Sequence, residues 1–474
     1  MDKKKIGLLL GPLSFVVLYF FVPFSELSEE AVAVLACTVW IAIWWITEAI
    51  SISATALLPI VIFPLSGAMS LGETTASYGH KYVFLFLGGF ILAIAIEKWK
   101  LHKRVALGII HFMGTKASRI ILGFMVATAF LSMWISNTAT TVMILPVGIA
   151  IIDQLTNKCK DSSAIFGKAL MLAIAFSASI GGMATLIGTP PNLVLAGVVE
   201  KNFATEISFA QWFMFGFPIS LLLLTISWLY LTKISFKVDQ HQFNQQSNEI
   251  KRQLDELGKL SHEEKLVSLV FMLTAVAWIT RSFLLQQWIP HLDDTIIAVT
   301  AGLSLFLIPS ANKKKALLVW KDAVKLPWGV LILFGGGMAL AYGFESSGLA
   351  VWIGSQLTSI EGISVFMLIL IIVASINFLT EITSNLATTA MLLPILIPLA
   401  TSLGIHPYML LVSATLAASC AFMLPVATPP NAIVFASGQI SIQDMVKKGI
   451  WMNLISIVII SLLVYYVLPW LWGI

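Results

Sequence analysis

The sequence contains little charge and little cysteine. Only 11% of its 474 residues are Asp, Glu, Lys or Arg, against about a quarter in soluble domains. Cys37, Cys159 and Cys420 lie far apart, which excludes a disulfide framework and the paired spacing of a zinc site. A formal net charge of +4 is too small to indicate binding to nucleic acid.

The motifs of common enzymes are also missing. The sequence contains no His-Glu-x-x-His, no Gly-x-Ser-x-Gly and no phosphate-binding loop. Nor does any apolar run hold a pair of aspartates. We therefore expect a protein that is not an enzyme.

Long apolar runs dominate the sequence instead. Apolar residues make up 58% of the chain and the mean hydropathy is +0.93, values typical of an all-α polytopic membrane protein. The run from Ile6 to Phe24 is long enough to span a bilayer and no cleavage pattern follows it. The apolar segments lie at roughly 6–24, 31–49, 51–65, 81–97, 118–135, 138–156, 166–199, 212–235, 265–285, 294–309, 327–344, 365–383, 386–403, 407–437 and 450–473.

The basic residues indicate the orientation. If the N-terminus is cytoplasmic, all of the 28 Lys and Arg fall on the cytoplasmic side except Lys81, Lys201 and Arg281, as the positive-inside rule requires. This assignment requires the segments around residues 136 and 384 to enter and leave on one side. We therefore expect two re-entrant hairpins in the cell membrane.

The chain repeats its hydrophilic motifs in the same order. Ser-Asn-x-Ala-Thr-Thr begins at Ser136 and again at Ser384, and Thr-Pro-Pro-Asn begins at Thr189 and again at Thr428. Both motifs are expected to interrupt an apolar helix. Helix interruptions at matching places in two halves are typical of the central binding site of inverted-repeat transporters. We predict an N-terminal helix at 1–30, a first repeat at 31–235 with its hairpin tip at 136–138, a cytoplasmic connector at 236–264, and a second repeat at 265–474 with its tip at 384–386.

Both motifs contain groups that can bind a cation and groups that can bind an anion. Broken helices expose carbonyls which, with Ser, Thr and Asn oxygens, bind hard cations such as Na⁺. The helix N-termini favour oxyanions. Neither motif contains a basic residue, so a co-bound cation would compensate the charge of an anion. Small residues that only allow close helix packing are the alternative interpretation, and Glu381 is a candidate for tuning the second cation site.

These motifs resemble the divalent anion/sodium symporter family, which includes dicarboxylate, citrate and sulfate carriers. The resemblance covers nearly the whole chain and also rests on Trp44-Trp45-Ile46-Thr47-Glu48-Ala49, Pro327-Trp328-Gly329-Val330-Leu331 and Phe334-Gly335-Gly336-Gly337. It implies about 11 transmembrane helices plus two re-entrant hairpins, a homodimer, and an elevator-type movement of a transport domain.

The resemblance also implies two Na⁺ sites that flank one anion. The first Na⁺ site would use Ser132, Ser136, Asn137 and the carbonyl near Gly188, and the second Thr380, Ser384, Asn385 and the carbonyl near Ala427. The anion would meet the following residues, with both prolines shaping the pocket: Ser136, Asn137, Thr138, Thr189, Pro190, Ser384, Asn385, Thr428 and Pro429.

One residue departs from the family's Ser-Asn-Thr pattern. Leu386 stands where a hydroxyl residue is expected, so the second side of the pocket should be more apolar. The resulting hypothesis is Na⁺-coupled import of a C4-dicarboxylate such as succinate, malate or fumarate, with citrate also considered. A Na⁺-independent dicarboxylate exchanger, a sulfate-type symporter, and a channel or scaffold protein remain as alternatives.

Overall fold

The computed structural model describes residues 3–24, 26–114, 116–156, 160–238, 247–311, 315–356 and 363–474. Within these ranges the chain is helical, and the only β-pairing is an isolated bridge between Pro309 and Ala316. The predicted all-α fold is confirmed. Residues 239–246 of the predicted connector lie outside the described residues.

Twelve helices precede the connector: α1 Lys3–Phe20, α2 Glu29–Thr47, α3 Ile52–Thr55, α4 Leu58–Leu65, α5 Leu71–Ala76, α6 Lys81–Lys98, α7 Leu101–Met113, α8 Ala117–Ser132, α9 Asn137–Thr156, α10 Lys160–Gly182, α11 Pro190–Phe203 and α12 Phe209–Leu229. The described helices from residue 247 onward, of which the first lies inside the predicted connector, are α13 Ser247–Glu256, α14 His262–Thr280, α15 Gln286–Trp288, α16 Asp294–Leu307, α17 Trp320–Ala323, α18 Trp328–Ser346, α19 Leu349–Gln356, α20 Val365–Leu379, α21 Asn385–Ser402, α22 Pro407–Ala418, α23 Pro429–Ala436, α24 Ile442–Tyr466 and α25 Leu468–Trp472.

The apolar helices carry the fold. Eight helical stretches of the described chain are long and apolar enough to cross a membrane, and five apolar helices are shorter. The predicted segment 51–65 is two helices, because Pro59 in the first turn of α4 cannot continue the preceding helix. The 13-residue amphipathic helix α7 was not predicted, since it is too short for a span.

The two halves repeat the same packing. In the first half α10 contacts both α8 and α9, and in the second half α22 contacts both α20 and α21. Contacts between the halves are reciprocal: α10 and α9 pack against α23, while α22 and α21 pack against α11. This exchange is what a pseudo-two-fold axis produces, and it brings the two repeated motifs to the centre of the molecule.

A buried ion pair joins α14 and α16 to the start of α12. The Arg281 Nε lies 2.7 Å from Asp294 Oδ1, and the two side chains are only 2% and 3% exposed. The angle at this contact falls outside hydrogen-bond geometry, so the attraction is ionic. Asp294 Oδ2 accepts a hydrogen bond from the Phe209 N–H at 2.7 Å, and Glu206 accepts one from Arg281 at 2.8 Å.

Replacing this arginine should destabilise the fold. Arg281→Met leaves the buried Asp294 carboxylate without its cation, at an expected cost of about 3–5 kcal/mol in the free energy of unfolding. Denaturant unfolding of the purified protein in detergent measures this cost. As the control, Glu256→Gln removes only the exposed partner of Arg252 and should change stability by about 0.5 kcal/mol or less. Equal stability of the two variants would contradict the assignment.

Candidate functional site

The first half-site forms where α8 ends and α9 begins. Residues 133–136 make the non-helical turn, so Asn137 already lies in the first turn of α9. The fully buried Ser132 hydroxyl lies 2.6 Å from Asn137 Oδ1 and 2.7 Å from the Ala178 carbonyl of α10. The hydroxyl therefore lies within hydrogen-bond distance of both an amide oxygen and a helix carbonyl.

The second half repeats this geometry. The Thr380 hydroxyl lies 2.8 Å from Asn385 Oδ1 and 3.0 Å from the Ala418 carbonyl of α22. Ala418 is the last residue of α22 and Ala178 lies four residues before the end of α10, so both carbonyls are near the negative end of a helix dipole. In the described residues no three His, Cys, Asp or Glu side chains cluster around a metal position. The two oxygen sets are therefore neutral, as suits a monovalent hard cation.

The end of α10 and the loop after it pack against the first half-site through two glycines, Gly182 and Gly188, which have no side chain. A Cβ built on Gly182 would lie 2.5 Å from Asn137 Oδ1. A Cβ on Gly188 would lie 2.5 Å from the Gly182 carbonyl oxygen. The chain thus folds back so that Gly188 and Asn137 both contact Gly182. The predicted ligands Gly188 and Asn137 therefore have Gly182 as a common neighbour.

The Thr-Pro-Pro-Asn motifs begin α11 and α23. Thr189 and Thr428 are the N-cap residues, both with φ −141°. The prolines that follow have no N–H, so these helix ends offer the dipole and the threonine hydroxyls but few backbone donors. Thr428 Oγ1 accepts from the Asn431 N–H at 3.3 Å, whereas the Thr189 side chain makes no capping bond.

The first turns of α9 and α21, in contrast, contain no proline and carry backbone N–H groups. Ser136 Oγ accepts from the Ala139 N–H at 3.3 Å, while Ser384 makes no side-chain capping bond. Thr138 is exposed, but Leu386 is buried at 6% exposure. The two tips therefore differ in both polarity and packing.

The two half-sites touch each other. Met183 Sδ in the first loop lies 3.7 Å from Cys420 Sγ in the second. The rings of Phe176 and Phe422 meet edge to face with centroids 5.0 Å apart. The segments that follow the two oxygen sets in the chain are therefore in direct contact.

Glu381 was predicted only as a candidate for tuning the second cation site, and its contacts with the second loop were not predicted. Its carboxylate, 3% exposed, accepts hydrogen bonds from the N–H groups of Phe422, Met423 and Leu424 at 2.8 to 2.9 Å and from Asn453 Nδ2 at 2.7 Å. These four hydrogen bonds tie the second tip to the second loop and to α24, and the Phe422 N–H also donates to Asn453 Oδ1 at 3.2 Å. Only the position of an acid beside the motif signals it in the sequence.

The whole chain fits one protein family. Residues 3–474 match the family model described as the sodium:sulfate symporter transmembrane region. The chain belongs to this family. The predicted resemblance is confirmed, and because the family's members are transporters, so is the prediction that the protein is not an enzyme.

Named relatives and solved structures agree with this. The chain is 50% identical to the sodium-dependent dicarboxylate transporter SdcS of Staphylococcus saprophyticus over 99% of its length and 92% of that protein. SdcS of Staphylococcus aureus gives the same values. The Alcanivorax borkumensis YdaH transporter superposes with a TM-score of 0.61 at 12% identity, covering 92% of this chain and 99% of the other. Neisseria gonorrhoeae MtrF gives 0.57 at 13%, covering 96% and 97%.

A methyl group at Gly182 should disable the first half-site. In Gly182→Ala the new Cβ would lie 2.5 Å from Asn137 Oδ1, which is too close, so the Asn137 amide must move. We therefore expect uptake of the transported anion into proteoliposomes to fall at least about tenfold. Gly108→Ala on α7, where nothing lies within 4 Å of the added carbon, is the control. Normal uptake by Gly182→Ala would mean that Asn137 need not hold this position.

Proposed function

We propose that the protein is a sodium-coupled secondary active transporter that imports C4-dicarboxylates such as succinate, malate and fumarate. The mirrored pair of neutral oxygen sets carries this proposal: Ser132, Asn137 and the Ala178 carbonyl in one half, Thr380, Asn385 and the Ala418 carbonyl in the other. The names of the relatives support both the ion and the class of anion.

Two cation sites follow from the two oxygen sets. Each set lies where helices end in the molecule's interior and gathers oxygens without a carboxylate, which suits Na⁺. In the first, Ser132, Ser136, Asn137 and the Gly188 carbonyl hold the ion. In the second, Thr380, Ser384, Asn385 and the Ala427 carbonyl do so.

The anion lies between the two tips. Hydroxyls of Ser136, Thr138 and Thr189 and the amide of Asn137 face it from one side. From the other side come Ser384, Asn385 and Thr428, while Pro190 and Pro429 shape the pocket. None of these groups is charged, so the bound Na⁺ ions compensate the carboxylates. The cations must bind first for the anion to be held, which couples the two fluxes.

The same reasoning extends to the assembly. We place the protein in the cell membrane with its N-terminus in the cytoplasm, as a homodimer. Each protomer consists of the N-terminal helix and the two repeats, 31–235 and 265–474, and a transport domain moves against a scaffold as in an elevator-type carrier. The connector at 236–264 then lies in the cytoplasm. Arg104 of α7 supports its docking there, because it donates to the Gly258 carbonyl at 2.9 Å and to Glu264 at 2.8 Å.

Uptake into proteoliposomes tests the function. Purified protein should accumulate labelled succinate against its gradient when Na⁺ is outside, and should not do so when K⁺ replaces Na⁺. The physical reason is that the neutral site cannot hold a dianion without its cations. Uptake that needs only succinate inside the vesicles would instead show an exchanger. Sulfate uptake without succinate uptake would show a sulfate-type symporter.

Leu386 should set anion preference. Leu386→Thr adds a hydroxyl at the second tip and should change the ratio of citrate to succinate uptake at least about threefold, with unchanged Na⁺ dependence. Leu386→Val is the matched control, because Val and Thr have the same shape and cause the same loss of packing at this buried position. Identical ratios in the two variants would exclude Leu386 from the choice of anion.

A further inference from the structure

The last residue of each Thr-Pro-Pro-Asn motif makes contacts that the proposed ion and anion sites do not use. Asn192 and Asn431 are both fully buried. Asn192 Nδ2 donates to the Thr185 carbonyl at 2.7 Å and also lies 3.3 Å from the Gly182 carbonyl oxygen. The amide therefore bridges the two ends of the bend between α10 and α11.

Asn431 bridges the second loop in the same way. Its Nδ2 donates to the Leu424 carbonyl at 3.0 Å and to the Ala421 carbonyl at 3.2 Å. In both halves two acceptors lie seven and ten residues before the asparagine, and Asn192 Nδ2 has a third, the Met183 carbonyl at 3.4 Å. The identical spacing shows that the two amides perform the same structural task.

The amide orientation is determined by its surroundings. Every acceptor around Nδ2 is a carbonyl oxygen, so the flipped amide would place oxygen against oxygen. The Oδ1 atoms of Asn192 and Asn431 are buried and have no donor among the described residues. An unpaired buried acceptor is costly, so packing alone does not explain an asparagine at these two positions.

We infer that Asn192 and Asn431 are positioning residues that hold the loops 183–188 and 422–427 in the shape required for cation binding. Asn192 donates to the same Gly182 that contacts both Asn137 and Gly188. Neither asparagine is among the ligands proposed above for the ion or the anion. The inference rests on the sodium-coupled function proposed above.

The consequence is a specific change in Na⁺ dependence. Without the amide the loop must be ordered by the ion itself, so Na⁺ binds more weakly. Once Na⁺ is saturating the loop is formed again and the transport rate recovers. Supporting groups around metal ligands typically contribute about 10–100-fold in metal affinity.

The test compares Asn192→Ala and Asn431→Ala with Asn202→Ala. Asn202 is an asparagine of the same helix α11 whose amide bonds only to the Val198 carbonyl within that helix, at 2.8 Å. Succinate uptake is measured against Na⁺ concentration. The half-saturating Na⁺ concentration should rise about tenfold in the first two variants, with the rate at saturating Na⁺ within about twofold of the unmodified protein. The control should behave as the unmodified protein.

Two further measurements complete the design. Stabilisation of the protein by Na⁺ without succinate, followed as a thermal shift, should require a correspondingly higher Na⁺ concentration in both variants. Asn192→Ser retains one donor and should give an intermediate shift, which decides the question if the alanine variant does not fold. An unchanged half-saturating Na⁺ concentration, or a lower rate at saturating Na⁺ alone, would overturn the inference. Absence of Na⁺-dependent uptake by the unmodified protein would instead overturn the proposed function.

Discussion

Helices that end inside an apolar molecule leave backbone N–H and carbonyl groups that lipid cannot hydrogen-bond. The structure around the repeated motifs depends on which protein groups bond to them instead. The hydroxyls of Ser132 and Thr380 donate hydrogen bonds to helix carbonyls. The side-chain amides of Asn192 and Asn431 donate hydrogen bonds to loop carbonyls. The side chains of the two predicted cation sites are neutral and polar, as the proposed binding of Na⁺ inside a membrane requires.

The two halves solve the same problem with different side chains. In the first half the Thr185 hydroxyl joins the loop to the tip, accepting from the Gly188 N–H and donating to the Met133 carbonyl. In the second half the Glu381 carboxylate joins tip and loop by accepting three backbone N–H groups. A repeated fold therefore does not imply a repeated chemistry, and the two cation sites are expected to differ in affinity.

The prediction from sequence succeeded where local physics decides the outcome. Apolar run length and low charge were enough for an all-helical membrane protein, and the Thr-Pro-Pro-Asn repeats were enough to locate the helix breaks, since proline acts on its own turn. The site residues Ser132 and Thr380 were reached only through the family resemblance. The amphipathic α7 was missed because its 13 residues are shorter than a membrane span.

The sequence by itself determined the class of fold, the repeated motifs and the neutral character of the site, because each is a property of composition or of short segments. Only the tertiary structure decided which carbonyl each hydroxyl meets, 46 residues away for Ser132 and 38 for Thr380. It also decided that Glu381 binds a loop more than 40 residues along the chain. The physical reason is that such partners are chosen by helix packing, which no local pattern encodes.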